Sequence, residues 1–122
     1  MTKPVIAPAF CQVAWVVRDL AAAEKFFVET MGISRFMHMD NLAAKDTGGT
    51  YLGKPGNWVC NLHIAYAGDT QIELIQPVSG ASMYQESLDR HGDAVQHVAY
   101  WLDDADYDAA AAHLESSGYP QI

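Results

Sequence analysis

Three residues of types that hold metal ions or move protons lie inside apolar stretches: Gln12 in Cys-Gln-Val-Ala-Trp-Val-Val, Glu73 in Gln-Ile-Glu-Leu-Ile, and His97 in Gln-His-Val-Ala-Tyr. A carboxylate between Ile72 and Leu74 is unfavourable to bury alone and calls for a cation, a metal or a proton. Gln oxygen, Glu carboxylate and His imidazole form a mixed nitrogen and oxygen set suited to Zn, Ni, Co, Mn or Fe, without the thiolate that a soft ion prefers. Three such ligands leave coordination positions for a substrate, and a Glu whose pKa is raised by burial is a better base at neutral pH. His63, whose neighbours Leu62 and Ile64 face the other way, is a further acid or base candidate that could line the same pocket. Each residue also has a plainer reading. A Gln at a strand start is usually exposed at an edge, a strand His is usually hydrogen-bonded, and a Glu on an open sheet is often solvated.

The elements that must position these groups follow from periodicity. Residues 11–17 are rich in β-branched and aromatic types and stop at Arg18-Asp19, which reads as a strand with Asp19 as the next N-cap. Leu20, Ala23, Phe27 and Met31 then recur at three- and four-residue steps, one face of a helix, and Gly32 stands where a left-handed residue ends it. A second strand is expected over 33–39. The segment 41–57, with Gly48-Gly49, Gly53 and Pro55-Gly56, reads as an irregular loop and a flexible lid. Two more strands, 58–66 and 70–76, join at Gly68-Asp69 with hairpin composition. The first unit, 10–77, is thus βαβββ. A linker with a helix over 82–91 follows, then a strand over 96–102, an Asp103-Asp104 cap and an Ala-rich helix to about Ser117.

Gln-Val-Ala-Trp-Val-Val-Arg-Asp-Leu from Gln12 lies over His-Val-Ala-Tyr-Trp-Leu-Asp-Asp-Ala from His97. This internal repeat gives Gln12 and His97 equivalent places on two related strands. In a strand Gln12, Ala14 and Val16 share one face, as do His97, Ala99 and Trp101, and Gln71, Glu73 and Ile75. The second unit starts at 94 and has only 119–122 after its helix, so its remaining strands are expected either beyond Ile122, with a Glu mirroring Glu73, or from another chain.

At 122 residues, half of them hydrophobic, the chain suits one compact domain spanning 1–122. Fifteen acids against seven Lys and Arg give a net charge of −8, which repels nucleic acid and anionic membranes. The absence of a secretory signal, of a long apolar run and of a Cys-x-x-Cys spacing points to a cytoplasmic protein with Cys11 and Cys60 as free thiols. His38, His91 and His113 read as surface or hydrogen-bonded, and the aspartates at 103–108 as a capped, solvated helix start.

The stretch from Gln12 to Leu20, Gly32-Ile33, Gln71-Ile-Glu-Leu-Ile-Gln-Pro77, Tyr84, His91-Gly92 and His97-Val-Ala-Tyr resemble the glyoxalase and methylmalonyl-CoA epimerase branch of the vicinal oxygen chelate superfamily. The resemblance implies an α+β fold in which paired βαβββ modules form a cupped mixed sheet around one divalent metal, the second module being truncated in this chain. It implies Gln12, Glu73 and His97 as ligands, a fourth ligand outside the chain, and a homodimer. The expected activity is that of a metal-dependent isomerase, epimerase or lyase acting on a small molecule at a carbon next to a carbonyl, with Glu73 and His63 as catalytic candidates. Met37, Met39, Trp58, Tyr84 and Trp101 are the expected apolar substrate wall. The alternatives are a metal-free small-molecule binding protein of the resistance type and an extradiol-type dioxygenase, against which Gln12 in place of His counts.

Overall fold

Hydrophobic alternation and one tight hairpin organise the chain. In the computed structural model, which describes residues 3–122, seven strands and four α-helices follow a short 3-10 turn. They run β1 (Phe10–Val16), α1 (Leu20–Lys25), β2 (Met37–Ala43), α2 (Ala44–Thr47), β3 (Thr50–Tyr51), β4 (Lys54–Pro55), β5 (Val59–Ala67), β6 (Thr70–Ser79), α3 (Met83–His91), β7 (Ala94–Tyr100) and α4 (Asp104–Ser116). The main sheet has the order β2-β5-β6-β1-β7, and β3 and β4 form a small separate hairpin. β1 runs parallel to β6 and antiparallel to β7, while β5 runs antiparallel to both of its neighbours, β2 and β6. The fold is therefore α+β around a mixed sheet.

The pairing of β1 with β7 carries the imprint of the sequence repeat. Gln12 lies opposite Ala99, Val13 opposite Val98, and Ala14 opposite His97. Since Gln12 and His97 are equivalent in the repeat, as are Ala14 and Ala99, this register is what a local two-fold axis through the Val13–Val98 pair produces.

Each face of the sheet has its own apolar cluster. Behind the sheet, α1 packs Leu20 with Val17, Phe36, Ala65, Ile72 and Leu74, with Trp15 and Phe27 at the margin. Trp15 and Phe27 meet edge to face, their centroids 5.2 Å apart. On the other face α2, Trp58 and α3 with its Leu88 cover Ala14, Val16, Cys60 and Ile75. Leu74, Ile75 and Val16 are wholly inaccessible to solvent, each such side chain stabilising the fold by about 1.5–3 kcal/mol.

Several boundaries differ from the periodic reading. Asp19 does cap α1, its Oδ1 accepting from the Ala22 amide at 3.0 Å, and Gly32 does adopt a positive φ. The helix, however, widens into a π-turn over Phe26–Thr30. The wider turn shifts the helical phase, so Phe27 stays on the core side while Met31 points to solvent. The second strand begins at Met37 rather than Ile33; Ile33 and Phe36 instead pack behind the sheet as extended chain. The segment expected as an irregular loop contains the end of β2, α2 and the small hairpin. Its Ala44 is fully buried, and Gly49 and Gly56 lie so close to the Trp58 indole that an added Cβ would sit 2.6–2.7 Å from it.

Gly80, between β6 and α3, has φ +79°, and a Cβ there would lie 2.1 Å from the Asn57 carbonyl oxygen. Gly68, at the tip of the β5–β6 hairpin, also has a positive φ but open space around it. Gly68→Ala is expected to cost about 1–3 kcal/mol from backbone strain alone. Gly80→Ala should cost clearly more, because the backbone of 57–58 must move as well. Urea denaturation of the two variants measures this, and equal losses would show that the 57–80 contact is not tight.

Candidate functional site

The cup-side face of the sheet is read most easily as three transverse rows. The innermost is apolar: Met39, Leu62, Ile75, Val16 and Ala94 stand in register across β2, β5, β6, β1 and β7. The next row is Met37, Ile64, Glu73, Ala14 and His97, and the outermost joins Tyr66, Gln71, Gln12 and Ala99. Polarity thus rises from the covered end of the cup to its open end.

Glu73 and His97 are separated in their row by Ala14, whose methyl group leaves room for the longer side chains on either side. Gln12, one step along β1, reaches both. Its Nε2 donates to Glu73 Oε2 at 2.6 Å and to Gln71 Oε1 at 2.5 Å, while its Oε1 lies 3.1 Å from His97 Nε2. The structure brings Gln12, Glu73 and His97 into one connected group, together with Gln71. A register shift in β7 between the partners of Ala14 and Trp15 places Gln96 beside His97, and its Oε1 contacts His97 Nδ1. Such bulges commonly re-aim a side chain next to a site.

The electrostatics follow from burial. Desolvation raises the Glu73 pKa, an effect partly offset by the hydrogen bond from Gln12. Desolvation also lowers the His97 pKa, which favours the neutral ring. Burial pushes the Cys60 thiol up to about 11 and the Tyr84 phenol up to about 12, so both stay protonated around neutral pH. Tyr84 stands over the site, its ring centroid 6.4 Å from that of His97, and packs edge to face on Trp58.

This donor set fits a divalent cation. With the amides as placed, His97 faces a carbonyl oxygen at each ring nitrogen, Gln96 at Nδ1 and Gln12 at Nε2. A neutral ring has one proton for these two acceptors, so one lone pair must point at an oxygen. When Nδ1–H donates to Gln96, the Nε2 lone pair and the Gln12 oxygen face each other beside the Glu73 carboxylate. A cation satisfies that arrangement, and a ligating His whose second nitrogen donates to a carbonyl is the usual outer-shell pattern.

The other expected site residues are distributed differently. His63 pairs with Leu74, so it faces α1 on the far side of the sheet from Glu73, stacked on His38 and next to Glu24. It therefore does not join the cup, and the expectation that it lines the pocket is corrected by the strand's two-residue period. Trp58 is 6% exposed and packed among Ala44, Gly49, Gly56 and Tyr84, a core residue under the cup's covered end and not an accessible wall. Trp101 lies just beyond β7 and is highly exposed, lining an open cleft of ≈ 440 Å³ with Gln12, Gln71, Tyr66 and Tyr100. Met37 and Met39 share the cup face at the β2 edge, two strands from Glu73, roughly 9–10 Å at ordinary strand spacing. Gln71 and Gln96 were not singled out in the sequence. Gln71 had a signal, two residues before Glu73 on the same face; Gln96 depends on a bulge that no local pattern announces.

Residues 11–122 match the model of the glyoxalase/bleomycin resistance protein/dioxygenase superfamily. The chain belongs to that superfamily. No curated protein matches by sequence. Among solved structures the chain is similar to methylmalonyl-CoA epimerase from Mycobacterium tuberculosis, with a TM-score of 0.62 and 21% identity over 97% of this chain and 69% of that one. A hypothetical protein from Bacillus halodurans C-125 gives 0.64 and 16% over 89% and 67%. A Streptomyces coelicolor methylmalonyl-CoA epimerase variant, in complex with 2-nitronate-propionyl-CoA, gives 0.61 and 21% over 90% and 71%. These likenesses establish the shared fold of the superfamily, the cupped sheet. Among the described residues no helix is long and apolar enough to cross a membrane.

The raised Glu73 pKa has a measurable sign. Folding favours its protonated form, a contribution fully present below the ordinary carboxylate pKa and lost as pH rises through the folded-state value. In chelator-treated protein, Glu73→Gln is therefore expected to raise the Tm at about pH 8 and to lose that advantage towards about pH 4, near the ordinary glutamate value. Thermal melts across this interval test it. A Tm difference that grows towards acid would contradict a desolvated Glu73.

Proposed function

We propose that the chain is a metal-dependent isomerase or epimerase of the glyoxalase type, or a lyase of the same chemistry. It would remove a proton from a carbon next to a carbonyl through an enolate or enediolate. The observation that carries this reading is the half-buried Glu73 joined through Gln12 to His97 at the open end of the cup. Gln12, Glu73 and His97 would hold the ion, and a divalent cation there supplies Lewis acidity that stabilises negative charge developing on the substrate oxygen.

The chain's own groups account for the rest. Gln12 engages Glu73 Oε2 and so orients the carboxylate, leaving Oε1 to take the proton from the α-carbon. Desolvation makes Glu73 a stronger base than a carboxylate in water once it is ionised. Returning the proton from Glu73 to the neighbouring carbon gives isomerisation; epimerisation needs a second acid, such as a water in the cleft, to deliver a proton to the opposite face of the carbon while Glu73 keeps the one it took. Substrate enters by the cleft that Trp101, Tyr66 and Tyr100 line beside Gln12, while Tyr84 and the apolar row exclude water from the inner end. Met37 and Met39 extend the apolar surface at the far edge. We further infer a cytoplasmic homodimer, a reading that rests on the superfamily resemblance and on Cys11 and Cys60 standing as free thiols.

Solvent-deuterium incorporation at the α-carbon of methylmalonyl-CoA, chosen because the epimerase neighbours act on it, is the first test. Protein purified without chelator should retain a divalent metal, and Glu73→Gln should lower exchange by about 10²–10⁴-fold, the usual contribution of a positioned base. Exchange should increase with pH as Glu73 ionises, because the ionised form is the base. Undiminished exchange in Glu73→Gln would remove Glu73 from the reaction. Protein that neither retains a metal nor catalyses exchange after adding Zn, Ni, Co, Mn or Fe would favour the metal-free binding reading.

A further inference from the structure

The residues that left the cup form a group of their own. His38 on β2 and His63 on β5 are directly opposite in the ladder, and their rings stack with centroids 3.6 Å apart and planes within 5°. Glu24 on α1 leans over both. Its Oε1 lies 2.8 Å from His38 Nε2 and its Oε2 lies 3.4 Å from His63 Nδ1. One ligand-capable atom from each of the three residues falls within 4.8 Å of the other two.

Two features separate this cluster from an ordinary surface ion pair. The His63 side chain is only 9% exposed, and its Nδ1, aimed at Glu24, is shut off from solvent without a hydrogen-bond partner. A buried nitrogen with nothing to bond is an unfavourable arrangement that a ligand at that position would relieve. Two imidazoles and one carboxylate also form a recurrent protein ligand set for zinc, with the fourth position left to water. Two ligands each about 2.0–2.1 Å from one tetrahedral ion are roughly 3.3–3.5 Å apart; Glu24 already stands at 3.4 Å from His63, while its 2.8 Å hydrogen bond to His38 must open by about 0.5 Å to admit an ion. The rings must tilt from parallel so that both lone pairs meet at one point. His38, half exposed, is free to do so.

We propose that Glu24, His38 and His63 form a second divalent-metal site, of the zinc type, on the helix-covered face of the sheet. It is independent of the Gln12, Glu73 and His97 group, which lies on the other face. Its role is structural, since it joins α1 to β2 and β5 one residue before the helix end, where the π-turn over Phe26–Thr30 interrupts regular helical bonding. Asp40, two residues from His38 and so on the same strand face, is near enough to act electrostatically on His63 and adds negative charge that favours a cation.

Zinc binding to chelator-stripped protein, followed by equilibrium dialysis and thermal melts, tests the proposal. Protein carrying both Gln12→Ala and Glu73→Gln, which disables the cup set, should still bind one zinc equivalent and still gain Tm from it. Adding His38→Asn, at a half-exposed position that leaves the core intact, should weaken that binding by more than the 10–100-fold that loss of an outer-shell partner costs. Glu24→Gln should do the same. Cobalt bound in place of zinc should give the strong visible absorption of a four-coordinate ion, lost in His38→Asn. Unchanged zinc affinity and Tm gain in both single substitutions, with circular dichroism showing folded protein, would overturn the site. So would loss of all zinc binding in the cup double variant. Neither result bears on proton exchange at the cup, so the two readings fail separately.

Discussion

The arrangement of the cup depends on keeping a carboxylate in the middle strand of a sheet whose neighbouring positions are apolar. Glu73 cannot be left unpaired there without a desolvation penalty of several kcal/mol for the ionised form. Its surroundings answer that constraint. Gln12 donates to it from the adjacent strand, Ala14 leaves the space beside it free, and His97 completes the group from the strand beyond. Replacing Ala14 with a larger residue would part the carboxylate from the imidazole, although Ala14 carries no chemistry itself.

Much of this was legible in the sequence, for reasons that can be named. The repeat of Gln-Val-Ala with His-Val-Ala anticipated two related strands, and the β1–β7 register displays that relation as local two-fold symmetry. The apolar flanks of Glu73 marked it as a group in need of a partner. A strand taken alone shows which residues share a face but not which face is which. The Gly68-Asp69 turn pairs Ala67 with Thr70, and counting back from there sets Ile64 against Glu73 and His63 against Leu74. The hairpin therefore already contained the information that His63 lies behind the sheet. Trp58 is ambiguous in another way, since an aromatic residue at a strand start reads equally well as a wall or as core, and only the approach of Gly49 and Gly56 decides. The π-turn and the β7 bulge have no local signature, because each depends on packing between elements distant in sequence.

The two faces of the sheet have divided the available histidines. His97 is on the open side, among groups that reach a cleft; His38 and His63 are on the helix side, among groups that join elements. In a strand this division requires only an odd or an even step. A one-residue slip in the β5–β6 register would exchange the faces and bring His63 to the cup, together with burying Ile64 behind the sheet. The short hairpin that prevents the slip thus decides which side chains face the cup.

The three rows also grade the dielectric surroundings of anything that enters. Two unit charges 4 Å apart interact by about 1 kcal/mol in water but by about 4 kcal/mol at an effective dielectric constant near 20, so the same polar contact weighs more at the inner end than at the rim. At the Gln71 row an entering molecule would keep much of its hydration, whereas any atom reaching the Glu73 row would exchange water for fixed dipoles and a carboxylate. The cup should therefore be stringent about the few atoms that reach its interior and tolerant of whatever trails outside. If the proposed site takes a substrate, such a pocket would recognise a functional group rather than a whole molecule, and changes of tail would be accommodated at the rim without rebuilding the interior.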